Sequence, residues 1–147
     1  MLPNLSGAAA DRAEQRLRDQ TVLWLTTVSP SGQPQTSPVG YAWNGQTFLI
    51  LSKPGIAKVR NLRRNPRVAM HLDLDTEAEE YTVLTIEGIA ELDAAPPGVP
   101  APLTRDEVTG YLDKHLESMR WAQVTPEQTF ADYSTVIRVT PTRARCY

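Results

Sequence analysis

The chain is poor in residues that do chemistry on their own. Its only cysteine, Cys146, stands beside the C-terminus, which excludes an internal disulfide framework and argues against a cysteine metal site. That thiol reads as inert. Two histidines, His71 and His115, are present. They are too few for a three-histidine metal centre, and H-E-x-x-H does not occur. No G-x-G-x-x-G follows a strand-like run, and neither G-x-x-x-x-G-K-[ST] nor G-x-S-x-G is found. A Rossmann dinucleotide site, a P-loop and a hydrolase elbow are therefore unsupported. A Ser-His-Asp triad can be assembled only by free choice of residues and carries no weight. No run approaches ~18 apolar residues, and the opening "MLPNLSGAAADRAEQ" has no apolar signal core. A cytoplasmic protein with no membrane span is the expectation. With so few reactive side chains, any reaction here falls to a bound cofactor that the protein holds and orients.

What is present describes one domain of 147 residues, with an N-terminal helix to residue 20, a core over 21–92, a loop and helix over 93–132 and a last strand over 133–147. Ala8 to Gln20 reads as a short helix, with Ala9, Ala13 and Leu17 on one side. "TVLWLTTV", Thr21 to Val28, is rich in β-branched and aromatic residues, as strands are. In "QTSPVGYAW" Pro38 cannot donate to a ladder, which places that strand at an edge or makes it irregular. Asn44-Gly45 between two β-type runs predicts a two-residue type I′ hairpin leading into Thr47 to Ser52. Ile56, Val59 and Leu62 share one face of a short helix that Asn65-Pro66 ends. "RVAMHLDL" and Tyr81 to Leu92 read as two further strands, with Gly88 marking a bulge. "LDLDTEAEE", Leu72 to Glu80, reads as a solvated acidic loop between them. Thr104 and Glu107 form a capping box before a stripe of Val108, Tyr111, Leu112, Leu116 and Met119. Ser134 to Thr140 is the last strand. The order favours antiparallel pairing, a mainly β (α+β) fold in which six strands close a small barrel with helices outside.

His115 lies at the edge of the long helix's stripe and is expected to pack with one nitrogen satisfied. His71, opposite Met70 and Leu72, lines a pocket or faces solvent. Trp24, Trp43 and Trp121 belong to core or interface, with stacking on a planar ligand as the alternative.

The net charge is −2, yet Lys53, Lys58, Arg60, Arg63, Arg64 and Arg67 follow one another with no acidic residue between them. Three uses fit this run: a solvated helix surface, a phosphate site, or contact with a nucleic-acid backbone, against which the acidic total weighs. The local geometry gives the second its content. A strand ends at Ser52, the chain turns through Lys53-Pro54-Gly55, and a helix begins at Ile56. Free amides and the helix dipole at that start favour an anion, Gly55 permits close approach, and Ser52, Lys53 and Lys58 offer a hydroxyl and two cations.

The run from "LTTVSPSGQP" through "TSPVGYAWNGQTFLILSKPGIAKVRNLRRNPRVAM" resembles the flavin-binding split β-barrel family, the pyridoxamine 5′-phosphate oxidase-like proteins. The C-terminal "VIRVTPTR" is similar to that family's last strand. Within the family the resemblance is to short actinobacterial members that use the deazaflavin coenzyme F420. It implies a six-stranded antiparallel split barrel with peripheral helices, and a homodimer with the cofactor in a groove at the interface. It implies further that the cofactor phosphate is held by the Ser52-Lys53 turn and by Lys58, with Leu51, Ile56 and Ala57 also binding the cofactor and the ring along Thr36, Ser37, Pro38 and Val39. Flavin mononucleotide (FMN) is the alternative cofactor. One phosphate does not need six cations, and the surplus, Arg60 and Arg64 included, suits the acidic tail of the deazaflavin. Vitamin B6 oxidases carry further arginines and histidines in a longer C-terminal region, so that substrate is not expected. Hydride transfer to a small electron acceptor such as an enone or quinone-like compound is the activity implied, with no catalytic acid nominated and no metal. A cofactor carrier and a nucleic-acid-associated barrel are the competing readings.

Overall fold

The computed structural model describes residues 1–96 and 98–147. Six strands, β1 (Val22–Val28), β2 (Pro34–Trp43), β3 (Phe48–Ser52), β4 (Arg67–His71), β5 (Leu84–Ala94) and β6 (Thr135–Cys146), close a barrel in the order β1-β2-β3-β6-β5-β4. Every neighbouring pair is antiparallel. Four helices lie outside: α1 (Gly7–Asp19), α2 (Ala57–Arg64), α3 (Arg105–Trp121) and α4 (Pro126–Asp132). No helix among the described residues is long and apolar enough to cross a membrane.

The barrel interior is filled by alternating residues, among them Leu23 and Leu25 of β1, Tyr41 of β2, Phe48 and Ile50 of β3, Met70 of β4, Ile86 of β5 and Val139 of β6. β3 is buried on both faces. Its outward side chains, Leu49 and Leu51, pack with Val136 against Tyr111 and Met119 of α3. This explains why "FLILS" is continuously apolar rather than alternating. Gly88 does mark a bulge: the β5–β6 register shifts between Glu87 and Gly88. A Cβ there would lie 2.6 Å from Val139 Cγ1 and 2.9 Å from the Thr140 carbonyl oxygen.

Several expectations need correction. The hairpin is not a type I′ turn centred on Asn44-Gly45. Trp43 pairs with Phe48, which moves the central pair to Gly45-Gln46, and only Gly45 has a positive φ, 91°. The Asn44 carboxamide oxygen takes the N–H groups of Gln46 and Thr47, each at 2.8 Å. That side chain closes the turn beside a backbone bond from the Asn44 N–H to the Thr47 carbonyl at 3.3 Å. The edge reading of Pro38 holds, and β2 runs unbroken through it, opposite Trp24. The strand tolerates the proline because β3 pairs with β2 only over Tyr41 to Trp43. Residues 34–40 thus have β1 on one side and an open edge on the other.

The acidic loop is not simply solvated. Arg12 bonds Asp75, Arg16 donates to the carbonyls of Asp73 and Thr82, and the Asp73 carboxylate accepts from Trp24 Nε1 at 2.7 Å. Arg16 belongs to the buried face of α1, because its charge is satisfied there by backbone carbonyls. α4, with Thr125 and Gln128 as a second capping box, was not expected from the sequence, whereas β6 runs to Cys146, past Thr140 but within the expected 133–147.

Candidate functional site

α2 is held against β1 and β2 from within. Val59 and Leu62 are buried, and so is Asn61, whose carboxamide N–H groups reach Thr27 Oγ1 at 3.0 Å and Gln35 Oε1 at 2.8 Å. Asn65 ends the helix in an extended conformation, as the residue before a proline should. Gly55, at φ 72°, turns the chain from β3 into α2. The N-cap residue, Ile56, has no capping side chain, and the first helical bond runs from the Arg60 amide to the Ile56 carbonyl at 3.1 Å. The amides of Ala57, Lys58 and Val59 precede it, so they remain available to an anion.

Two cavities meet at Ile56 and Lys58. The larger, about 540 Å³, runs from Pro38, Val39 and Gly40 past Leu51, Ser52 and Lys53 to the α3 face bearing Tyr111, His115 and Met119. The smaller, about 340 Å³, is bounded by Thr36 and Ser37 of β2 and by Ala57. Ten of the twelve site residues read from the sequence therefore share one continuous cleft along the open edge of β2: Thr36, Ser37, Pro38, Val39, Leu51, Ser52, Lys53, Ile56, Ala57 and Lys58.

Arg60 and Arg64 line neither cavity. The Arg60 guanidinium folds back onto the Gly55 carbonyl, one residue before Ile56 of the cleft. Arg64 is exposed in the last turn of α2. At a rise of ~1.5 Å per residue it stands roughly 10 Å from the helix start.

The electrostatics single out Lys58. Burial alone lowers its pKa, with no carboxylate contributing. A half-buried cation without a counter-ion favours an incoming anion. Lys53 is more exposed, its ammonium 5.6 Å from the centre of the Tyr133 ring. The Ser52 hydroxyl, on a residue only 3% exposed, already donates to the Lys53 carbonyl at 3.0 Å.

The wall opposite β2 is what the sequence reading missed. Tyr111 and His115, one helical turn apart, are each 8% exposed, and their rings lie 4.3 Å apart. His115 stands in the middle of the buried stripe rather than at its edge, its Nε2 2.7 Å from the Tyr41 carbonyl oxygen. One nitrogen is thus satisfied, as expected. Burial lowers its pKa and pushes that of Tyr111 up to about 12, so both are neutral near pH 7. Ser118 and Ala122 on the same face were the available signal, being small residues that leave room. His71 is exposed and stacks on Trp24 at 6.2 Å, outside the cleft. Trp43 stacks on Phe48 at 4.3 Å, while Trp121 is 89% exposed. Among the described residues no group of three or more His, Cys, Asp or Glu side chains is placed to hold a metal ion.

A closed six-stranded antiparallel barrel with peripheral helices is a split-barrel fold. The chain belongs to the pyridoxamine 5′-phosphate oxidase family, whose sequence model matches residues 9–146. It is similar to the solved structure of an F420 reductase, with 26% identity over 90% of this chain and 94% of that one, at a TM-score of 0.62. It also shares its fold with a conserved Mycobacterium tuberculosis protein (19% identity, 99% and 87% coverage, TM-score 0.70). A further match is an FAD-binding protein from Mesorhizobium loti (20% identity, 95% and 92% coverage, TM-score 0.65).

Proposed function

We propose that this protein is an F420H2-dependent oxidoreductase, acting in the cytoplasm on a small conjugated acceptor such as an enone or quinone-like compound. The observation that carries the proposal is the continuous cleft in which an unpaired, half-buried Lys58 faces the open edge of β2. The residues suit such a cofactor. Lys53, Lys58 and the uncapped amides of α2 form an anion site of two cations and oriented dipoles. The edge of β2 over Thr36, Ser37, Pro38 and Val39 offers unpaired backbone groups to the polar rim of a flat ring. Arg60, folded onto Gly55, suits an acidic tail, and Arg64 attracts it from a distance. The 26% identity with an F420 reductase is the comparison that favours the deazaflavin.

The chemistry supplied by the bound group is donation of a hydride to the acceptor's β-carbon, the α-carbon taking a proton from solvent. The chain binds, orients and excludes water. Ile56, Val124 and Tyr133 are exposed apolar residues at the rim. In this proposal a second copy of the chain covers them and completes the groove as a homodimer.

Titration of the purified protein with F420 and with FMN, followed by fluorescence, tests the cofactor. Tighter binding of F420, followed by oxidation of its reduced form in the presence of an enone, is expected. Preference for FMN transfers the proposal to a flavin-dependent protein. Binding without turnover on a panel of enones and quinones assigns a carrier, a reading favoured by the absence of carboxylates from the cleft lining.

A further inference from the structure

Resting on the cofactor placement just proposed, the inner end of the cleft has a chemistry of its own. Gly40 lies where α3 crosses β2. A Cβ at that position would sit 3.2 Å from His115 Cε1, 3.5 Å from the Tyr111 hydroxyl oxygen and 3.7 Å from His115 Nδ1. A side chain there would crowd the imidazole, so Gly40 lets α3 approach β2 closely and brings two polar atoms to the inner end of the cleft. Neither has a hydrogen-bond partner among the described residues, and neither is sealed from solvent. Tyr111 and His115 both line the cleft.

The two atoms differ in what they offer. The Tyr41 carbonyl can only accept, so the His115 Nε2 beside it carries the hydrogen. Burial keeps the ring neutral. Nδ1 is then a fixed acceptor. The Tyr111 hydroxyl, protonated throughout the physiological range, is a donor. A ligand that displaces water from such atoms is favoured when it replaces the hydrogen bonds they lose.

We infer that Tyr111 and His115 are the specificity-determining pair for the acceptor, Tyr111 donating to its conjugated carbonyl oxygen and His115 Nδ1 accepting from a hydroxyl or N–H on an adjacent carbon. The substrate class is narrowed from conjugated carbonyls in general to those bearing a hydrogen-bond donor beside the carbonyl. Ketones lacking the donor, or carrying an ether there, leave Nδ1 unpaired and bind less well.

Calorimetry on the protein with oxidised F420 bound, where no turnover occurs, compares 6-hydroxycyclohex-2-enone with its 6-methoxy ether. A second arm uses the protein without cofactor. The hydroxy-enone should bind about 10-fold more tightly, the upper range for one neutral hydrogen bond. His115→Gln keeps a donor for the Tyr41 carbonyl but removes the ring acceptor, and it should bring the two ligands to equal affinity. Tyr111→Phe should weaken both by about 3- to 10-fold and leave their ratio intact. Equal binding of the two ligands by the unaltered protein overturns the inference, whatever the variants do. So does a wild-type ratio in a folded His115→Gln. If F420 fails to bind but the preference persists in the cofactor-free arm, the cofactor proposal falls and the recognition pair stands.

Discussion

Replacing Lys58 with methionine separates what that residue does for the fold from what it does for a ligand. The methionine keeps most of the buried stem and removes the charge. In the empty protein the ammonium is half-buried, no carboxylate lies near it, and burial depresses its pKa. The fold therefore gains nothing from the charge, and Lys58→Met should be neutral or slightly stabilising. Cofactor binding should respond in the opposite direction. A charge-assisted hydrogen bond contributes about 1.5–3 kcal/mol, and ~1.4 kcal/mol is tenfold in affinity, so the dissociation constant should rise roughly 10- to 150-fold. The pH dependence carries a sign as well. Since burial lowers the pKa of Lys58 in the free protein, a bound anion must raise it. Affinity is then full at neutral pH and falls as the pH climbs through the free protein's value, below the ordinary 10.5. Fluorescence titration of both proteins between pH 7 and 10 and thermal melts of both empty proteins measure the two effects. An unchanged dissociation constant, or a loss of affinity that merely follows a loss of stability, refutes the assignment of Lys58 as the anion's ligand.

Arg64→Ala should alter cofactor affinity less than twofold at 0.15 M salt and more at 0.02 M. Its charge sits roughly 10 Å from the start of α2, about one Debye length at 0.1 M, so a large, salt-independent loss would place it in direct contact. Gly88→Ala should destabilise by about 1–3 kcal/mol in urea unfolding, because its Cβ would meet Val139 and the Thr140 carbonyl. Glu107 is held below the ordinary carboxylate range chiefly by the hydrogen bond from Arg138. Its stabilisation is present above the unfolded-state value of about 4.5 and is lost as pH falls through the lower folded value. Glu107→Gln preserves the capping box but not the ion pair, so it should be less stable than the parent at pH 6, and the gap should narrow near pH 3.

Local sequence fixed the elements because their causes are local. The β-branched and aromatic content of "VLWLTTV", the glycine after Asn44, the Thr104–Glu107 box and the Asn65-Pro66 stop each act within a few residues, and each is found at or near its expected place. The cationic turn was legible for the same reason, since Ser52, Lys53, Ile56, Ala57 and Lys58 are neighbours in the chain. Errors arose where a distant partner decided. The hairpin register is set across the strands, by Trp43 pairing with Phe48, and this lies one residue from the expected turn. Arg16 could not be read as buried without the carbonyls of residues 73 and 82, which lie far along the chain.

The sequence by itself determined the strands, their antiparallel order of connection and the cluster of cations where β3 gives way to α2, since each follows from side-chain period, turn chemistry and adjacency. Tertiary structure alone decided which of those cations share a cleft and which stand apart in solvent. It also brought Tyr111 and His115 across from α3 to Gly40. Nothing in a linear pattern specifies the close approach of a helix to a strand seventy residues earlier; it is set by how the outer faces of β2 and β3 pack.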